Sequence, residues 1–180
     1  MKRFIVFAFI IIICLVGLFA DPVYGGSSTS GSASMTINLN SATILNSNPR
    51  LYFGFTTDGT VGGEITPLTS NLVLAKNYSN ATSFIATGTA YIFFRIASAQ
   101  KLSFSLSWTN LTSTGGTNKS LYIYDKNGNA LSSGGSIYSF NPEEDAVVDN
   151  RVELKFSTGS SISTTEDLQS TVTLTVEVES

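Results

Sequence analysis

The chain has 180 residues, of which 13 are acidic and 10 basic, with no His, one Cys and one Trp. That length suits one domain with a sizeable core. The mildly acidic balance supplies no basic stripe to neutralise phosphates, which excludes a nucleic-acid partner, and apolar residues recurring at strand spacing exclude a disordered chain.

Lys2-Arg3 followed by the apolar run 4–20 has the charged and apolar regions of a signal peptide. Val23-Tyr24-Gly25 then offers a cleavage site after Gly25. The run is at the short limit for a membrane span, so an uncleaved anchor is the alternative. Cys14 follows Ile11-Ile12-Ile13 and lacks the small residue that a lipobox places before its Cys, so it leaves with the signal peptide. The mature protein then holds neither Cys nor His. It has no disulfide framework and no zinc site of the His/Cys type. The expected division is a signal peptide over 1–25, a flexible Ser/Gly leader over 26–34 and a β-domain over 35–180. The expected location is secreted or on the cell surface.

Alternation begins at once after the leader, with Met35, Ile37 and Leu39 set against Thr36, Asn38 and Asn40. This predicts a first strand. Residues 51–57 predict a second, and Asp58-Gly59 predicts a hairpin turn after it. Gly54 and the Gly62-Gly63 pair point to bulges or a close backbone approach. A short apolar run covers 71–75. In residues 89–96, Ala90, Ile92, Phe94 and Ile96 face one way and Tyr91, Phe93 and Arg95 the other, which marks a central strand. Residues 101–108 alternate cleanly, and a hairpin with the previous strand is expected across 97–100. Residues 121–124 and Ala130-Leu131 flank a turn at Asp125-Lys126-Asn127-Gly128-Asn129. Residues 137–140 and 152–156 are further strands. The closing stretch 171–180 puts Val172, Leu174, Val176 and Val178 on one face and Thr171, Thr173, Thr175, Glu177 and Glu179 on the other. Such a strand needs a sheet to receive it, and full burial of each aliphatic is worth roughly 1.5–3 kcal/mol. No sustained helical period follows the signal peptide. The expected fold is all-β, an antiparallel immunoglobulin-like β-sandwich of about nine strands.

Candidate chemistry is sparse. Glu143, Glu144, Asp145 and Asp149 bring hard oxygens together as a calcium site would. The plainer reading, adopted here, is a solvated loop with no metal and no cofactor. Asp125-Lys126-Asn127-Gly128-Asn129 has Ala130 and Ser136 where an EF-hand loop needs Gly and Glu, so it is read as a turn. Tyr122 and Tyr124 share a strand face and form a candidate sugar-stacking pair, although such tyrosines commonly cover cross-strand neighbours. With neither His nor Cys there is no ordinary nucleophile–base pair, and the chain is read as non-enzymatic. Four Asn-x-Ser/Thr sequons occur, at Asn77, Asn80, Asn110 and Asn118, about as many as this Ser/Thr-rich composition produces unaided.

The signal peptide, the early Met35-Thr36-Ile37-Asn38-Leu39 strand, the Phe53-Gly54 step and the closing alternating strand resemble the secreted β-sandwich subunits of fimbriae and of spore-coat U-like proteins. Two features of such subunits are absent. Asp167-Leu168-Gln169 stands where they carry Gly-x-Tyr, and their cysteine pair is missing. The resemblance implies a structural subunit of a filament, coat or surface layer, with itself or other surface proteins as partners. On that reading Met35, Ile37 and Leu39 are the apolar residues of a strand donated to a neighbour's sheet. The alternative is a monomeric surface module that binds carbohydrate or another ligand.

Overall fold

The computed structural model describes residues 35–44, 50–62, 64–80, 82–143 and 148–179. The expected signal peptide and leader, Cys14, and Glu144 and Asp145 of the acidic loop lie outside the described residues.

Among the described residues every regular element is a strand: β1 (Met35–Ile44), β2 (Arg50–Thr56), β3 (Leu72–Val73), β4 (Ala75–Tyr78), β5 (Phe84–Ala97), β6 (Leu102–Trp108), β7 (Leu111–Thr112), β8 (Asn118–Lys119), β9 (Tyr122–Tyr124), β10 (Gly135–Phe140), β11 (Val148–Ser157) and β12 (Leu168–Val178). The total exceeds the expected nine: β3 lies within the apolar run 71–75, β4 is a four-residue strand after it, and β7 and β8 are two-residue pairings too short to leave a periodic trace.

The strands form two sheets. The first has the order β10-β6-β12-β1-β3, with β7 pairing β12 and β8 pairing β7. The second has the order β2-β5-β11-β9, with β4 also paired to β5. The pairings are antiparallel with one exception. β1 runs parallel to β12 from Met35↔Leu168 to Ile44↔Glu177. A parallel neighbour cannot come from a hairpin, so almost the whole domain intervenes between these two strands.

β12 closes the core as its alternation requires. Val172, Leu174 and Val176 are fully buried while Glu177 and Glu179 are exposed, and the strand lies between β6 and β1. The two sheets meet through aromatic rings. Phe94 of β5 lies 4.9 Å from Phe104 of β6 and 4.5 Å from Tyr138 of β10, ring centre to ring centre. Phe53 of β2 meets Phe104 edge-on at 6.3 Å. Such edge and offset contacts add to the area the rings bury.

β5 is central, as its two apolar faces required. Ala90, Ile92, Phe94 and Ile96 fill the core, and Phe93 on the opposite face is only 1% exposed. Its cover is Tyr52 at 5.0 Å and the Arg151 guanidinium at 5.8 Å.

Two expected hairpins do not form. β5 and β6 belong to different sheets, because β5 already has β2 and β4 on one side and β11 on the other. The 98–101 connection therefore passes from one sheet to the other over the edge of the core instead of turning back beside β5. Asp58-Gly59 likewise starts no hairpin: β2 pairs with β5, and the chain after it is irregular. Asp58 accepts a bond from the Thr60 amide, and Leu68 N donates to Phe55 O at 2.7 Å. A Cβ on Gly59 would lie 2.8 Å from ring carbons of Tyr91, so this glycine serves close approach rather than a tight turn. The turn at 125–129 forms as expected. Asp125 Oδ1 accepts the amides of Asn127 and Asn129, and Gly128 has φ +87°.

Candidate functional site

β1 is the first element to place. It is seated in its own domain, with Met35 and Ile37 fully buried and Leu39 packed against the core. Two details make this seat imperfect. Among the described residues the Thr36 hydroxyl is buried without a hydrogen-bond partner, a state that costs about 1–3 kcal/mol. The apolar alternation also stops at Leu39: Ser41 and Thr43 stand in register with Leu174 and Val176.

The outer side of β1 is paired only at its start. β3 covers Thr36 and Ile37, and no described strand covers Asn38–Ile44 on that side. At the other border of the same sheet stands β10. The stretches Asn38-Leu39-Asn40-Ser41-Ala42-Thr43-Ile44 and Gly135-Ser136-Ile137-Tyr138-Ser139-Phe140 contain no charged residue and no proline, the usual guards of a sheet edge. The second sheet is better covered. Thr56 Oγ1 at the end of β2 donates to Thr66 O at 2.9 Å. Leu131 N donates to Ile123 O at 2.8 Å along β9.

Tyr122 and Tyr124 project from β9 on one face, their rings 6.5 Å apart and inclined by 25°. Tyr122 is exposed, while one side of its ring is closed by Gly159, whose added Cβ would sit 2.7 Å from it. Gly159 has φ +72°, so the turn that braces this tyrosine requires glycine there. Across the strand, Lys155 donates to Lys126 O at 2.9 Å and pairs with Glu153 at 3.4 Å.

Asp149 does not belong to an open acidic loop. It lies on β11, 2.9 Å from Arg95 Nε and 2.9 Å from Arg151 Nη1. Burial pushes its carboxyl up, but the two guanidinium groups outweigh burial and hold it below the usual range. Its oxygens are thereby committed to cations of the protein itself. Glu143 is exposed at the loop's start. Among the described residues no three His, Cys, Asp or Glu side chains gather as metal ligands.

A second polar cluster had no sequence signal. Ser113 donates a hydrogen bond to Glu166, beside a depression of about 430 Å³ lined by Thr112, Ser113, Thr114, Asp167 and Gln169. Bonds from Ser113 and Thr117 hold Glu166 below its ordinary range. The site is open, hydroxyl-lined and lacks an aromatic wall. Residues 113 and 166 are too far apart in the chain for any spacing rule to join them. The Arg95–Asp149–Arg151 group was also missed, since cross-strand neighbours depend on register.

Comparison with known protein families and with curated proteins gives no match.

Proposed function

We propose that the chain is an exported, non-enzymatic β-sandwich of immunoglobulin-like design that serves as a structural subunit of a cell-surface filament, coat or layer. In this reading it is the same kind of protein as the fimbrial and spore-coat U-like subunits it resembles, and residues 1–25 direct its export. The observation that carries the proposal is the unguarded pair of borders on the first sheet, β1 beyond Ile37 and β10. A row of backbone donors and acceptors without charge or proline is a template for another strand. Pairing the β1 border of one copy with the β10 border of the next is a head-to-tail contact, and repeated contacts of that kind build an open filament.

The test is sedimentation of the mature protein over a wide concentration range, with electron microscopy of the same samples. Assembly that grows with concentration is expected. Asn38→Lys combined with Ser136→Lys places like charges on the two borders and should abolish it with little change in melting temperature. A single monomeric species at every concentration, with no filaments, would sink the proposal.

The exposed Tyr122–Tyr124 pair favours a second reading, a monomeric module that stacks sugars. A glycan screen beside the sedimentation run separates the two. Binding lost in Tyr122→Ala and Tyr124→Ala, by a protein that stays monomeric, selects the module.

A further inference from the structure

The number of sequons carries little information, but their placement does. Asn77 lies on β4, and Asn80 lies in the turn that joins β4 to β5. That turn is fastened to the 158–167 connection: Phe84 N donates to Ile162 O and Ile162 N to Phe84 O, at 2.9 and 2.8 Å. The Ser79 and Ser83 hydroxyls meet that of Ser161 at 2.8 and 2.5 Å. The same connection leads into the start of β12, where Met35 stands opposite Leu168. Asn110 and Asn118 adjoin that start too. Thr109 N donates to Thr171 O at 3.1 Å, and Ser170 Oγ donates to Thr109 O at 2.7 Å. Thr112 pairs with both Gln169 and Asn118. All four sequons therefore ring one end of the sandwich, the end at which β1 begins. The opposite end, around Ala97–Lys101 and Glu179, has none.

All four asparagines are exposed, but they are not equivalent. Asn77 Nδ2 is engaged, donating to Thr87 Oγ1 at 3.0 Å. In Asn80 it is Oδ1 that is held, by the amides of Thr82 and Ser83 at 3.0 and 2.9 Å and by the Thr82 hydroxyl at 3.3 Å. Thr82 is the hydroxyl residue of that same sequon. With the oxygen held this way Asn80 is exposed in the turn, and among the described residues no hydrogen bond engages its Nδ2.

We infer that this end of the domain is N-glycosylated, with Asn80, Asn110 and Asn118 as acceptors and Asn77 withheld by its bond to Thr87. The inference rests on the export reading, since glycan transfer acts on exported chains. The co-reactant is a lipid-linked saccharide whose anomeric carbon bears a phosphate or diphosphate. A transferase joins Nδ2 to that carbon. The carbon–oxygen bond to phosphate breaks, the lipid phosphate leaves with the electron pair, and one amide proton passes to a base.

Peptide mass spectrometry on the full chain recovered from the envelope and medium of its own cells tests this. Glycan mass is expected on the peptides containing Asn80, Asn110 and Asn118. It should vanish from Asn80 in Thr82→Ala, persist in Thr82→Ser, and leave the other two sites unaffected. The same spectra read the mature N-terminus, so export is scored separately. Unmodified sequons on a chain that begins near Gly26 would overturn the glycosylation while leaving export intact. An intact Met1 terminus on a chain with unmodified sequons would overturn the export reading together with the glycosylation, whereas an intact terminus on a glycosylated chain would mark an uncleaved anchor and uphold both. Modification confined to Asn77, or retained at Asn80 in Thr82→Ala, would overturn the assignment of acceptors.

Discussion

Asp149 joins a guanidinium that is almost fully covered, Arg151 at 3% exposed, to one that is largely open, Arg95 at 43%. Among the described residues Arg151 Nε is buried with no partner, so the Asp149 carboxylate carries much of that charge's compensation. Breaking a buried pair by removing one partner typically costs about 3–5 kcal/mol. Since Asp149 is itself partly exposed, Asp149→Asn should cost roughly 2 kcal/mol, read as a lower urea midpoint. Arg151→Met added to it should recover part of the loss, because the stranded charge is then gone. The pH dependence follows from the direction of the shift. A carboxyl held below its unfolded value adds stability above the ordinary aspartate range and loses it as the pH falls through that range and below. The wild type should therefore lose more melting temperature on acidification than Asp149→Asn does. Sequence alone placed Asp149 in a solvated loop, since Pro142 and the run of acids conceal where β11 begins. Arg95 and Arg151 reach it through register, a relation that no local window contains.

At the scale of the element, the alternation of β12 was legible because a half-buried strand writes its burial directly into period two. Val176 is fully buried, whereas Thr175 faces away from the core and is only half-covered. Val176→Asp should lower stability by about 4 kcal/mol, as an unpaired charge on a buried face does. Thr175→Asp should change it by less than about 1 kcal/mol. Equal losses in thermal melts would mean the register is wrong. β5 was legible as central for the same reason, from its two apolar faces. The partners of these strands were not legible. A short link such as 98–101 suits a hairpin or a crossing between sheets equally well by length. The choice falls to whichever strands already flank β5, and β2, β4 and β11 fill both its sides. Asp58-Gly59 failed in the same manner. Its turn chemistry is real, but Gly59 is used to bring the chain against Tyr91.

For the whole molecule, the decisive relation is the pairing of the first strand with the last. β1 is bound along its length to β12 and fills part of the core with Met35 and Ile37. Yet it carries an unpaired buried hydroxyl at Thr36 and gives up its apolar alternation after Leu39. A strand seated this way contributes substantially to the fold and can still be replaced by an identical strand. Removing residues 26–40 should therefore leave a folded but weakened domain, with an exposed apolar groove between β12 and β3. A synthetic peptide of residues 34–40 should restore its melting temperature, since residues 41–44 of β1 remain in the truncated chain. The same peptide with Ile37→Asp should not, because its charge would enter the site that Ile37 fills. Assembly separates two ways in which copies can join. If they join by adding borders, the peptide rebuilds the β1 border on each truncated domain and filaments return. If they join by exchanging β1 itself, the free peptide fills every groove without linking one domain to the next, and the refilled protein stays monomeric. Border addition is the expected result, since β1 already occupies its own domain and leaves its outer side from Asn38 onward to a neighbour. Stable monomers of peptide-filled protein, alongside filaments of the intact chain, would show that β1 is passed from copy to copy.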